Sequence, residues 1–165
     1  MKNFLYLGLV SIGLAVGASA VLGQHWRPGR PPIIRDASPS SFRYTVIYAT
    51  EDGETHFRDD TAPMKEMPLA VGDPVTVGGM MLASKTQFVG FQPRWNQEDL
   101  KHKRFHSAPV VQWVIGLQGT ATVMVSDGET RRFTKGALVR VLDVAPAKGH
   151  ITAIDDEPAV LLFIQ

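Results

Sequence analysis

The second half of the chain is constrained above all by what it lacks, a helical period. From residue 110 to residue 164 the apolar residues fall in short runs: VVQWVIGL (110–117), TATVMVS (120–126), ETRRF (129–133), ALVRVL (137–142), HITAI (150–154) and AVLLFI (159–164). The runs are broken at Gly119, Asp127-Gly128 and Lys135-Gly136. No stretch of ten or more residues carries apolar side chains at the 3.6-residue spacing of an amphipathic helix. Asp-Gly between two alternating runs is the strongest hairpin signal a sequence offers, because glycine supplies the positive φ that a tight turn needs. Upstream, FRYTVIYA (42–49) alternates as a half-buried strand, Glu51–Glu54 reads as a turn, and Thr55-His56-Phe57 starts the return. Residues 58–77, with Pro63, Pro68 and Pro74, read as irregular crossing chain, and strands are expected again at 78–84 and 86–91. The polar segment 93–105 predicts a loop or a single helical turn over a barrel mouth. The expected fold class is all-β, an antiparallel sandwich or barrel in one domain over 42–165.

The first twenty residues stand apart from that pattern. Lys2 precedes an apolar run, Phe4 to Val16, and Ala18-Ser19-Ala20 forms a small-residue cleavage pattern, so residues 1–20 predict an export signal. Cleavage after Gly23 is one alternative and an uncleaved N-terminal anchor the other; the apolar run is short and glycine-interrupted for a spanning helix, so no stable membrane span is expected once the signal is removed. Residues 24–41 hold four prolines and three arginines without periodicity and predict a stiff linker or surface arm. His25 and Trp26 fall in it. The expected location is the periplasm or the exterior. Without residues 1–20 the chain has 16 cationic and 16 acidic side chains, which gives no electrostatic case for nucleic acid or an acidic membrane surface. Cysteine is absent, which excludes disulfides, thiolate metal sites and thiol nucleophiles.

The candidate site residues are His106, Gln112 and His150. His106 and Gln112 share strand parity, but six residues of straight strand would part them by roughly 20 Å. They converge only if the chain bends, and Ser107-Ala108-Pro109 is the expected bend. His150 follows the Lys148-Gly149 turn. Two imidazoles and a neutral amide oxygen make a weak, exchangeable site for a divalent transition metal (Mn, Fe, Ni or Zn). They serve equally as hydrogen-bonding groups of a rim. His102 is a possible substitute ligand, and the Lys101–Arg104 cluster offers positive charge nearby. Trp113, of opposite parity to Gln112, is expected on the far face of its strand. Met80, Met81, Phe88 and Phe91 are candidate walls of an apolar pocket. His56, inside the first hairpin, is expected at the surface.

These residues carry a resemblance to the cupin superfamily of small jelly-roll barrels. His106 matches the first histidine of that family's first motif, Gln112 stands at its glutamate and Gly119 at its closing glycine. Ala108 replaces the second histidine. Gly136 and His150 fit the second motif, with Pro146 and Gly149 echoing its middle, although the spacing is longer and Ile154 replaces an asparagine. The resemblance implies a jelly-roll barrel with a pocket. It further implies either a metal-dependent lyase, isomerase or oxygenase acting on a small organic molecule, or a non-catalytic small-molecule binder needing no metal. A metal-free enzyme with His106 or His150 as base ranks last, because no orienting carboxylate stands out beside either histidine. Nothing indicates a nucleotide cofactor. The strand AVLLFI lacks polar alternation, and together with the sheet-face pairing of such barrels this predicts a homodimer.

Overall fold

The computed structural model describes residues 40–69, 75–78 and 83–165. The export signal, His25 and Trp26, most of the 24–41 arm, and Met80 and Met81 lie outside the described residues.

The described chain is mostly β. It runs β1 (Ser41–Ala49), β2 (Thr55–Met67), β3 (Val75–Gly78), β4 (Thr86–Phe91), α1 (Gln97–His102), β5 (Gln112–Gln118), β6 (Ala121–Val125), β7 (Thr130–Phe133), β8 (Leu138–Val141), β9 (His150–Ile154) and β10 (Ala159–Ile164). Seven strands form one sheet in the order β3-β2-β1-β8-β5-β10-β4, and three form another in the order β7-β6-β9. Neither sheet closes on itself. Among the described residues all pairings between strands are antiparallel except β1 with β8, which aligns Ile47 with Val141. No helix among the described residues is long and apolar enough to cross a membrane.

The turn chemistry follows the sequence. Gly128, with φ +96°, closes the β6–β7 hairpin at the Asp-Gly pair. The segment 93–105 contains the single helical turn expected of it, α1. Residues 58–77 depart from expectation, because β2 runs on to Met67 and β3 pairs with its far end. Pro63 is tolerated there because it lies opposite Ser41, the last pair of the β1–β2 ladder, where a missing amide donor breaks little. Residues 83 and 84, expected in a strand, lie outside any.

Strand parity sorts the side chains onto two faces. On β5, Gln112, Val114 and Gly116 face the space between the sheets, while Trp113 turns outward against Tyr44 and under Arg140. On β1 Ile47 faces the cavity, while Val46, of the Tyr44–Tyr48 parity, is equally buried on the other face. Ile47, Phe57, Val123, Val125, Val139 and Val141 form the main buried cluster.

Candidate functional site

The two sheets enclose a cavity of about 300 Å³. That lies at the small end of ligand pockets and corresponds to space for on the order of ten water molecules. Its walls are aliphatic and aromatic: Ile47, Val139 and Val141 from one side, Val123 and Phe133 from the other, and Val89, Phe91, Leu161 and Phe163 along the β4–β10 margin. Trp95, just before α1, also lines the cavity and packs on Phe91 with ring centroids 4.8 Å apart. Phe88, expected in this wall, points the other way and is 69% exposed, as the parity of β4 requires once Val89 and Phe91 face inward.

His106, Gln112 and His150 all line this one cavity. The chain bends at Pro109 and Val110, so His106 precedes β5 instead of extending it. It forms instead an antiparallel bridge with His150, each backbone N–H donating to the other's carbonyl at 3.1 and 3.0 Å. Directly opposed residues of a bridge present their side chains to one face, and the two imidazole centroids are 5.1 Å apart. Gly149 makes this approach possible. A Cβ there would lie 2.1 Å from the His106 carbonyl carbon and oxygen, and its φ is +91°.

Behind His150 stands a group that the sequence reading did not single out. Asp143 is fully buried, and its Oδ2 accepts a hydrogen bond from His150 Nδ1 at 2.7 Å. Its other oxygen, Oδ1, has no donor among the described residues. A buried acceptor without a partner costs roughly 1–3 kcal/mol, so this arrangement is an expensive one to keep. The carboxylate fixes the ring's tautomer and orientation and leaves Nε2 as the nitrogen on the cavity side. The expectation that neither histidine has an orienting carboxylate is therefore wrong. Asp143 closes the apolar run of β8 seven residues before His150, and a lone acid at the end of an inward-facing strand was its only signal.

The loop bearing this dyad is tied down on several sides. Ala108 N–H donates to the Asp143 carbonyl at 3.1 Å. The fully buried Thr55 hydroxyl donates to the Gly149 carbonyl at 2.5 Å and accepts from Ser126 N–H at 2.7 Å. Lys148 N–H donates to Gly53 O at 2.8 Å, and its ammonium pairs with Glu54. That pairing holds the Glu54 carboxyl below its usual range and lifts the Lys148 ammonium above its own.

Gln112 is buried, and its Oε1 accepts from Gln165 Nε2 at 2.9 Å. Gln165 is itself fixed by reciprocal backbone bonds with Lys85. One of the two lone pairs of the Gln112 amide oxygen is thus engaged by Gln165. His102 pairs with Glu98 at 3.2 Å on exposed α1 and does not line the cavity. Among the described residues, no cluster of three or more His, Cys, Asp or Glu side chains is placed to hold a metal ion. The three residues that the resemblance singles out thus share one cavity, the two imidazoles side by side and Gln112 bonded to Gln165.

No protein-family model matches the chain, and no curated protein matches it. The site must therefore be read from its own chemistry. Besides the two histidines, the polar groups among the lining residues are neutral: Gln87, Gln112, Thr152 and Gln165. His56, by contrast, sits at the surface as expected, bonded to Asp127 at 2.6 Å.

Proposed function

We propose that this chain is a cupin-type jelly-roll protein that takes a small, largely apolar organic molecule into its cavity and exchanges a proton with it through His150. Two facing antiparallel sheets around an apolar cavity support the architecture. The Asp143–His150 pair on the wall of that cavity is the observation that carries the chemistry. With Nδ1–H donated to Asp143, the lone pair on Nε2 receives a proton from the bound molecule, and the buried carboxylate stabilises the imidazolium that forms. Apolar walls keep water from screening that interaction, which strengthens it. The reaction class is proton abstraction, as in an isomerase or lyase.

The test is hydrogen–deuterium exchange in D₂O at an acidic C–H of any small molecule that binds in the cavity. The wild-type protein is expected to speed exchange about 10²-fold or more over His150→Gln, the usual range for a positioned base. Equal exchange by the two proteins would end the reading. So would a screen in which no small apolar compound binds.

The spacing of the two imidazoles favours a second reading, in which a divalent transition metal is held by His106 and His150. Asp143 would then orient His150 as carboxylates orient metal-bound imidazoles. Such an ion would supply a Lewis acid. Elemental analysis of protein purified without chelator decides it: no bound or bindable Mn, Fe, Ni or Zn removes this reading.

A further inference from the structure

Resting on the proton-transfer reading, we infer that the cavity selects an uncharged ligand carrying one weakly acidic hydroxyl on an aromatic or alicyclic body, a phenol-like compound. Charge is the first argument. No Lys, Arg, Asp or Glu is among the cavity's lining residues, so neither a permanent anion nor a permanent cation would find a counter-charge there. Moving an unpaired ion from water into such a space is strongly unfavourable. A carboxylate ligand would in addition face the buried Asp143 through the single ring of His150.

The polar groups then specify the head of the ligand. His150 Nε2 is an acceptor as the tautomer stands, so it calls for a donor. Gln112, its oxygen held by Gln165, offers N–H₂. Gln112 is paired across the sheet with Val141, two residues before Asp143, so amide and dyad belong to one end of the cavity. One hydroxyl satisfies both, donating its hydrogen to Nε2 and accepting from the amide. When the proton moves, the O–H bond breaks, the Nε2–H bond forms, and the electron pair stays on the ligand oxygen. The resulting oxyanion lies against an imidazolium and an amide donor. No oxidant or reductant is involved. The remaining walls are aliphatic and aromatic, and about 300 Å³ accommodates one ring or two.

Three chromophoric probes of nearly one shape test this: 4-nitrophenol, 4-nitroanisole, which lacks the hydroxyl hydrogen, and 4-nitrobenzoate, a permanent anion. Binding is measured by calorimetry, and ionisation of the phenol by its phenolate absorbance, below the pH where the free phenol ionises. The expected result is 4-nitrophenol bound about ten-fold or more tighter than either analogue, the worth of one charge-assisted hydrogen bond. A phenolate band should appear on binding and vanish in both His150→Gln and Asp143→Asn. The two variants, checked for native fold by circular dichroism, guard against loss of structure in either. If phenol and anisole bind equally without a phenolate band, the ligand class is wrong while the cavity stands. Tighter binding of 4-nitrobenzoate overturns the charge argument. If none of the three binds, the cavity reading falls with it.

Discussion

Gly149→Ala is the most exacting test of how this site is assembled. A methyl at that position would sit 2.1 Å from the His106 carbonyl carbon and oxygen and 2.4 Å from Ser107 N. All three are backbone atoms, so no side-chain rotation relieves the clash and the two segments must separate. Separation removes the reciprocal His106–His150 hydrogen bonds, worth about 1 kcal/mol each. The positive φ adds about 1–2 kcal/mol for a residue with a Cβ. The expected loss is therefore about 3–4 kcal/mol, a large share of the roughly 5–15 kcal/mol that holds a domain folded. Gly128→Ala and Gly136→Ala are the internal controls. Both glycines have φ near +90° (+96° and +87°), but a Cβ at either meets nothing within 4 Å. They should lose only the conformational part, about 1–2 kcal/mol. Urea denaturation reads the difference: with a slope of about 2 kcal/mol per molar, the Gly149 variant should unfold about 1.5–2 M earlier than wild type. A Gly149→Ala protein no less stable than the two controls would refute the close-approach argument.

Three further expectations concern the surroundings of the site. Thr55→Val leaves the Gly149 carbonyl and Ser126 N–H without their buried partner and should cost about 1–3 kcal/mol in urea denaturation. The Glu54–Lys148 link should matter over a definite pH window. Glu54's carboxyl is lowered from 4.5 by Lys148 in the folded state, so its contribution is present above that value and lost as pH falls through the lowered one. Lys148 is raised from 10.5, chiefly by the same bond, and its contribution is lost as pH rises through the raised value. Urea midpoints of Glu54→Gln should therefore approach those of wild type at both extremes and fall short between them; parallel curves would contradict this. Val123→Phe should fill part of the cavity, leave stability within about 1 kcal/mol because the space exists, and reduce probe binding at least ten-fold by calorimetry. Undiminished binding would place the probes elsewhere.

Much of the architecture is legible in the sequence because turns and parity are local properties. Asp127-Gly128 marks its hairpin, and the alternation around Gln112 and Trp113 assigns each to its face. What was not legible depends on partners distant in sequence. β2 continues through Pro63 only because β1 starts where it does, and no local rule reports that. Ile47 is inward because β1 lies beside β8, which neighbouring residues cannot reveal. The site shows the same division. His106, Gln112 and His150 were nameable as residue types, and they do line one cavity. Asp143 reads as one surface acid among 16 until the chain between it and His150 folds back. Gln165 acquires meaning only through β10 lying beside β5.

The division of labour between the cavity's walls and its reactive end has a practical consequence. The walls are contributed by side chains from many strands, whereas Asp143 lies in the β8–β9 connection and His150 opens β9, and that connection is anchored to the β1–β2 hairpin. Under the proton-transfer proposal, ligand scope and reactivity are therefore open to independent alteration. Trading Val89, Val123 or Phe133 for larger or smaller residues would reshape the accepted molecule and leave the loop's anchors intact. The fold thus keeps an apolar lining, spread over both sheets, apart from an Asp143–His150 pair held by backbone and ion-pair anchors.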